Sequence, residues 1–327
     1  MNLNDFLEKY QKVPVKVFHD PKIDNPLVTV CIQTYQHVDH IRNCLNSILA
    51  QKTNFDFEVV IGEDESKDGT RKICKEFVEK YPDRIKLLLH SRQNNIKILG
   101  SSSGRFNFTY NLLNARGKYI AFCEGDDYWI DENKLQKQFD ALEENKDCSI
   151  CFTAAEFHYL SMETEEIIRK KIYRPKNASD IRKYSLKEAI RPAGGFMPSA
   201  SMFFHSKYIE NMPSWFFEAI VGDTPLTLYL GTKGDFLYLN IISCVYQIGI
   251  KGSWTHSSDD KKRKNRVNGY IWILDQFDDY SNYKYHKKIT IQKLKLKLGL
   301  LKSRIKKAIR PLRKISMIDR FARYTGN

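Results

Sequence analysis

Three carboxylates fall within four residues in Glu124-Gly125-Asp126-Asp127, directly after the apolar run Tyr119-Ile120-Ala121-Phe122-Cys123. Acids this close repel one another unless a cation or a hydrogen-bond donor stands between them. A hard divalent ion such as Mg2+ or Mn2+ takes oxygen ligands and bridges to substrate phosphates. There it offsets the charge that builds up on a leaving diphosphate. Gly125, with no Cβ, lets such a group approach the backbone closely. The same acids would suit a solvated turn or the first turn of a helix, so the tetrapeptide alone leaves the choice open. A second acidic group, Glu63-Asp64-Glu65-Ser66, follows the apolar run Phe57 to Ile61, and Gln33-Thr34-Tyr35 follows Val28 to Ile32.

The elements that must position these groups can be read from apolar spacing. Pro26 to Ile32 is a short apolar run rich in β-branched residues, which predicts a strand buried on both faces; Phe57 to Ile61 predicts a second buried strand, and Ile85 to Leu89 and Tyr119 to Cys123 a third and a fourth. Ile41, Leu45, Ile48 and Leu49 recur at helical spacing, as do Ile73, Phe77 and Val78. The helix before the fourth strand is expected to end at Gly117 as its C-cap. Strand–helix alternation with short loops predicts an α/β fold with a mostly parallel, doubly wound sheet and helices on both faces. Ligands of such sheets bind outside the carboxyl ends of the strands, where all three polar groups lie.

Farther along, Leu135, Phe139 and Leu142 predict a helix and Ser149 to Thr153 a strand, and a loop around Arg191 to Gly195 leads into Met202-Phe203-Phe204. The charged run Ser257 to Arg266 lacks apolar periodicity and reads as a linker. Leu294, Leu298, Leu301, Ile305, Ala308 and Leu312 then mark one face of a C-terminal helix. The expected organisation is a lead-in over 1–25, a nucleotide-binding half over 26–130, a second half over 131–256, and a charged linker with basic amphipathic helices over 257–327.

Composition excludes several classes. Of 53 Lys and Arg and 39 Asp and Glu, 15 basic residues and one acid fall between Lys284 and Asn327. Residues 1–283 therefore balance at 38 of each sign, and the net charge of +14 sits on the tail. A neutral body is not a diffuse nucleic-acid surface, and the tail has no interleaved aromatics to stack on bases. No nucleic-acid partner is expected. No run of about 18 apolar residues exists to cross a membrane, and Met1 to Tyr10 has no apolar core of a secretory leader. Seven cysteines, mostly inside apolar runs, suit reduced buried thiols. Cys148 and Cys151 have CxxC spacing but no second pair, which argues against zinc.

Four ordered segments together are more specific than any one. Val30 to Gln36, Cys44 to Gln51, Phe57 to Thr70 and Ala115 to Trp129 resemble, in order and spacing, the family 2 glycosyltransferases, inverting enzymes with the GT-A fold; the likeness extends over about residues 26–255. The resemblance implies that Asp64 contacts a nucleobase with Thr34, Tyr35 and Glu63 beside it. It also implies that Glu124 and Asp126 are the acids of the DxD motif, Asp126 holding Mg2+ or Mn2+ with Asp127 second. Val221-Gly222-Asp223-Thr224-Pro225-Leu226 resembles the family's base motif, which casts Asp223 as general base; it would equally cap a helix starting at Pro225. Trp129 and Trp254 are candidates to stack on an acceptor sugar. The chain departs from the family where Tyr246 to Thr255 replaces a Tyr-Arg-x-His-x-Gly-Gly-x-Trp-Ser pattern: Gln247 stands for Arg and Gly249 for His, with Lys251 a possible substitute charge.

The resemblance implies a bacterial surface-polysaccharide enzyme moving a sugar from a nucleoside diphosphate donor, a UDP-sugar foremost, to a glycan or lipid-linked acceptor. An apolar stripe with a Lys/Arg face suits an anionic membrane surface through 284–327, at on the order of 1 kcal/mol per basic residue near the surface. The expected place is the cytoplasmic face of the cell membrane. A non-catalytic glycan- or membrane-binding relative is one alternative; a nucleotidyltransferase is weaker, because Gln33 to Gln36 offers no Gly or Lys to a triphosphate.

Overall fold

The computed structural model describes residues 2–98, 101–161, 163–191, 195–250 and 260–303. The first part alternates strand and helix: α1 (Leu3–Tyr10), β1 (Lys16–His19), β2 (Val28–Thr34), α2 (Ile41–Leu49), β3 (Phe57–Glu63), α3 (Thr70–Lys80), β4 (Ile85–Leu89), the short pair β5 (Lys97–Ile98) and β6 (Ser101–Ser102), α4 (Arg105–Leu113) and β7 (Tyr119–Phe122). There follow β8 (Tyr128–Trp129), α5 (Lys134–Glu144), β9 (Cys148–Leu160), β10 (Ile167–Tyr173), β11 (Ile181–Tyr184), α6 (Leu186–Ala189), β12 (Phe203–His205), α7 (Ser214–Glu218), α8 (Asp223–Leu230), β13 (Asp235–Ile248) and α9 (Asp260–Tyr280). Residues 286–303 are again helical.

Among the described residues, all strands but β5 and β6 join one eleven-stranded sheet ordered β1-β4-β3-β2-β7-β12-β9-β13-β11, with β10 on β9 and β8 on β13. β4, β3, β2 and β7 run parallel, as do β9 and β13; β12 joins the two parallel groups antiparallel to both. The parallel group β4-β3-β2-β7 and the parallel pair β9–β13 thus belong to one continuous sheet, which β1 also joins from the N-terminal segment.

The two-residue period of the strands sorts their side chains into two apolar layers. Val28, Val30, Ile32, Val59 and Ile61 pack with Ile41, Leu45, Cys74, Phe77 and Leu135 of α2, α3 and α5. Cys31, Val60, Leu88, Ile120 and Phe122 pack on the other side with Phe106, Phe216, Leu226, Ile273 and Phe277 of α4, α7, α8 and α9. Because both faces are covered, the strands read as unbroken apolar runs. Buried charges interrupt them, Lys86 on β4 among them; Glu58 on β3 accepts from Thr29 Oγ1 at 2.7 Å and from Arg116 Nε at 2.8 Å, which ties β2, β3 and the approach to β7 together. All seven cysteines are buried and free, as their apolar settings suggest.

Two local expectations need correction. The helix before β7 ends at Leu113 with Asn114 as its cap, and Gly117 is not a C-cap. Gly117 is required by close approach instead, since a Cβ there would lie 2.5 Å from the Thr29 backbone nitrogen. The charged run from Asp260 onward is the start of α9 and not a linker; Ser257 to Asp259 lie outside the described residues. Lys and Arg are good helix formers, and because residues 261–264 are exposed, the helix there needs no apolar period.

Candidate functional site

Backbone bonds bring the three polar strand ends together. Asp64 N–H donates to Thr34 O at 3.0 Å, and Gly125 N–H donates to Gln33 O at 2.9 Å, so the segments after β3 and β7 flank the end of β2. The loops after β2 and β3 are stapled to each other: Gln36 Oε1 accepts from the amides of Lys67 and Asp68, both at 3.1 Å. Each loop holds one non-glycine residue in the left-handed region, Gln36 at φ 58° and Glu65 at φ 62°, a conformation that costs such a residue roughly 1 kcal/mol or more.

At one end of the crevice, Asp64 Oδ2 accepts from Arg92 Nη1 at 2.9 Å and from Asn95 Nδ2 at 3.0 Å. Its Oδ1 is buried with no hydrogen-bond partner among the described residues. Burial lifts the Asp64 carboxyl to about 6, against the downward pull of Asn95 and Arg92. The Arg92 guanidinium also lies 3.7 Å over the ring of Tyr35, which is 37% exposed. A flat aromatic face, a fork of donors and an unsatisfied carboxylate oxygen form a platform suited to a planar heterocycle with N–H groups.

At the other end, Glu124 Oε2 accepts from Ser199 Oγ at 3.0 Å. Burial and the neighbouring Asp126 raise the Glu124 carboxyl to about 7. Asp126 is partly exposed and faces His37, with Oδ2 3.8 Å from His37 Nε2. Gly125 is where sequence reasoning wanted an open backbone. A Cβ there would come within 2.6 Å of Thr34 Oγ1 and 2.8 Å of His37 Nδ1, so only glycine leaves this cradle intact. Asp127 turns inward: Oδ1 accepts from Gln247 N–H on β13 at 2.9 Å, and burial with Asp126 and Glu124 nearby raises its carboxyl strongly.

Asp223 approaches from α8. The helix begins at Asp223 itself, not at Pro225, and Asp223 Oδ1 accepts from Thr224 N–H at 2.7 Å. Burial raises its carboxyl, while Thr224 and the guanidinium of Arg105 pull it down. Burial raises the phenol of Tyr246, and the negative charges of Asp127, Asp126, Glu124 and Asp223 add to that shift. Arg105 is buried, donates through Nη2 to Phe216 O at 2.6 Å, and stacks on Phe108 and Phe216. Burial lowers it to about 9, and Asp223 opposes that shift. Asp223 also lines a crevice with Arg191, Phe196, Met197 and Thr227.

Some expected site residues do other work. Glu63 is fully buried and pairs with Arg71, and its Oε1 accepts from Ser66 N–H at 2.7 Å; it braces the loop carrying Asp64 and does not face the crevice. Trp129 is 3% exposed, donates to Ala200 O at 3.0 Å, and has Lys134 Nζ 4.1 Å over its ring, which leaves no face for a sugar. Trp254 and Lys251 lie outside the described residues. Gln247 donates through Nε2 to Asp126 O, so its amide does structural work at the motif. Arg92, Asn95, His37, Ser199 and Arg105 were not singled out from sequence; they are isolated polar residues with no spacing signal.

Among the described residues no group of three or more His, Cys, Asp or Glu side chains converges as a metal site. One or two carboxylates with substrate phosphates commonly suffice for Mg2+ or Mn2+, and Asp126 beside the Gly125 cradle fits that pattern.

The fold is a mixed α/β fold of the GT-A type, with a mostly parallel central sheet. The chain belongs to the family described as Glycosyl transferase family 2, which matches residues 29–204. An uncharacterized Mycobacterium tuberculosis protein is 40% identical over 119 residues, covering 36% of this chain and 32% of that protein. Bacillus subtilis TuaG, named for teichuronic acid biosynthesis glycosyl transfer, is 31% identical over 128 residues, covering 39% of this chain and 46% of that one. These matches span less than half the length of either relative. In fold the chain resembles S. aureus TarS 1-349 in complex with UDP-GlcNAc, with TM-score 0.58 and 16% identity over 83% of this chain and 72% of that one. It also resembles the mannosyltransferase PcManGT from Pyrobaculum calidifontis in complex with GDP-Man and Mn2+, with TM-score 0.53 and 15% identity over 99% of this chain and 88% of that one.

Proposed function

We propose that this chain transfers a sugar from a nucleoside diphosphate donor, a UDP-sugar foremost, to a glycan or lipid-linked acceptor with inversion at the anomeric carbon. The observation that carries this reading is the convergence, at the ends of β2, β3 and β7, of the Asp64–Arg92–Tyr35 platform with the Glu124–Asp126 pair; the charge of Asp223, at the start of α8, is felt at Glu124. The 26–130 half holds the donor and the 131–256 half the acceptor. Asp64 and Arg92 address the base edge and Tyr35 its face, while the Gly125 cradle admits the diphosphate. A Mg2+ or Mn2+ ion held by Asp126 would neutralise charge on the departing diphosphate. Asp127 positions that segment through its bond to Gln247. Asp223 takes the acceptor hydroxyl proton as that oxygen attacks the anomeric carbon and the bond to the diphosphate breaks. Asp64→Ala is expected to weaken UDP binding by about 10-fold or more, as loss of a hydrogen bond to a charged group implies. Calorimetric titration checks this; unchanged affinity means that the nucleobase lies elsewhere.

The surface-polysaccharide setting implies an acceptor at the cytoplasmic face of the membrane, and the C-terminal helix supports peripheral docking there. No helix among the described residues is long and apolar enough to cross a membrane. In 286–303, Ile289 and Leu296 join the core, whereas Leu294 and Leu298 are 56% and 44% exposed. Lys287, Lys288, Lys295, Lys297 and Lys302 lie on the same stretch, a combination that suits an anionic bilayer. Leu294→Asp with Leu298→Asp is expected to release the protein from phosphatidylserine vesicles in flotation. Flotation of the double variant at the wild-type level contradicts docking by this stripe.

A further inference from the structure

We propose that His37 is a metal ligand alongside Asp126, so that the site favours Mn2+, or another first-row transition ion, over Mg2+. This rests on the donor reading above and deepens it, because neither the sequence motifs nor the family match assigns His37 a role.

The geometry is specific. His37 sits in the turn between β2 and α2, and this turn is held in place by several bonds. Its backbone N–H donates to Thr70 Oγ1 at 2.9 Å, and its carbonyl accepts from the amides of His40 and Ile41 at 3.0 and 2.8 Å, opening α2. The imidazole is anchored at Nδ1 and directs Nε2 toward Asp126. Nδ1 lies 3.3 Å from Thr34 Oγ1, and Nε2 lies 3.8 Å from Asp126 Oδ2. In the tautomer whose Nδ1–H donates to the threonine hydroxyl, Nε2 presents a lone pair toward the carboxylate. A lone pair facing a carboxylate oxygen is joined to it by a proton or by a metal ion, and the two are told apart by the test below. Anchoring of the far ring nitrogen by a protein acceptor is also how imidazole ligands are oriented. A Cβ at Gly125 would collide with both Thr34 Oγ1 and His37 Nδ1, so the glycine of the acidic motif keeps room for this ring as well as for the diphosphate.

The donor set decides the metal. Mg2+ takes oxygen ligands in a strict octahedron and sheds water reluctantly, whereas an imidazole nitrogen suits transition ions. One carboxylate and one imidazole leave the remaining positions to diphosphate oxygens and water.

The test uses the full-length protein with UDP and either Mn2+ or Mg2+. Electron spin-echo spectroscopy of bound Mn2+ is expected to show coupling to a nitrogen nucleus in the wild type. His37→Asn is expected to lose that coupling and to weaken Mn2+ binding by about 10-fold or more, with a much smaller change for Mg2+. His37→Asp, which offers oxygen in place of nitrogen, is expected to bind both ions and to erase the preference for Mn2+. Circular dichroism and thermal melting verify that both variants fold, and the gain by His37→Asp excludes a merely structural loss. Nitrogen coupling that persists in His37→Asn, or equal Mn2+ affinity in that variant and the wild type, overturns the proposal; the histidine is then only an ion-pair partner. Absence of Mn2+ uptake by the wild type overturns both this proposal and the metal at Asp126, while UDP binding through Asp64 is scored independently.

Discussion

Asp223→Asn is expected to lower sugar transfer by about 10²–10⁴-fold, the usual contribution of a positioned general base, with nucleotide affinity almost unchanged. Asn has nearly the same shape and can still accept from Thr224 N–H through its amide oxygen, the bond that now holds Asp223 Oδ1. The fold therefore keeps its α8 start, and what is lost is the ability to take a proton. Asp223 is also separate from the platform at Asp64, so binding of the base should not register the change. The pH profile gives the sign. Burial raises the Asp223 carboxyl above its ordinary range, with Thr224 and Arg105 opposing. The wild-type rate should accordingly rise with pH as Asp223 loses its proton, on a limb displaced upward from that of an exposed carboxylate. The variant should lack that limb. Steady-state kinetics over pH, beside calorimetric nucleotide binding, measures both; transfer by the variant at near wild-type rate removes Asp223 from the role of base.

Asp126→Ala is expected to cost about 10²–10³-fold in turnover, comparable to removing one preorganised group that stabilises developing charge. Among the three acids of the motif, Asp126 is the one whose carboxylate is neither buried against β13 like Asp127 nor held by a serine hydroxyl like Glu124. Removing it should abolish the dependence of rate on Mn2+ or Mg2+ concentration. The same change should stabilise the unliganded protein, because Asp126 raises the carboxyls of both Glu124 and Asp127. Loss of activity with gain of melting temperature is the pattern of a charge cluster kept for function. A variant that keeps wild-type metal dependence contradicts the assignment.

The sequence alone made the parallel half of the sheet legible for a physical reason. Strands buried on both faces are apolar at most positions, and β4 begins and ends at Ile85 and Leu89, the bounds of its mostly apolar run, which only Lys86 breaks. The acids stood out because charge at the end of such a run is rare. The far half was harder: β10 is exposed along nearly its whole length, so residues Ile167 to Tyr173 carry neither an apolar run nor clean alternation. β9 and β13 extend well past the apolar stretches that mark them. Within the site, the type of residue was readable but its direction was not. Glu63 and Asp64 are neighbours at the end of β3, yet the strand's alternation sends Glu63 to Arg71 and leaves Asp64 to the crevice. Trp129 had the right chemistry for a sugar, and packing under Lys134 takes it out of reach. Arg105 and His37 were invisible because each acts through distant partners, Phe216 and Asp126, that only the tertiary fold supplies.

The central claim is that the crevice at the ends of β2, β3 and β7 turns over a nucleotide sugar. The most direct measurement is release of nucleoside diphosphate by the wild-type protein from a panel of UDP- and GDP-sugars, with Mn2+ present and after chelation. The expected result is release from at least one UDP-sugar that requires the metal and disappears in Asp126→Ala. No release from any nucleotide sugar, together with no thermal stabilisation by UDP or GDP, would contradict the account and favour a non-catalytic relative that binds glycan or membrane.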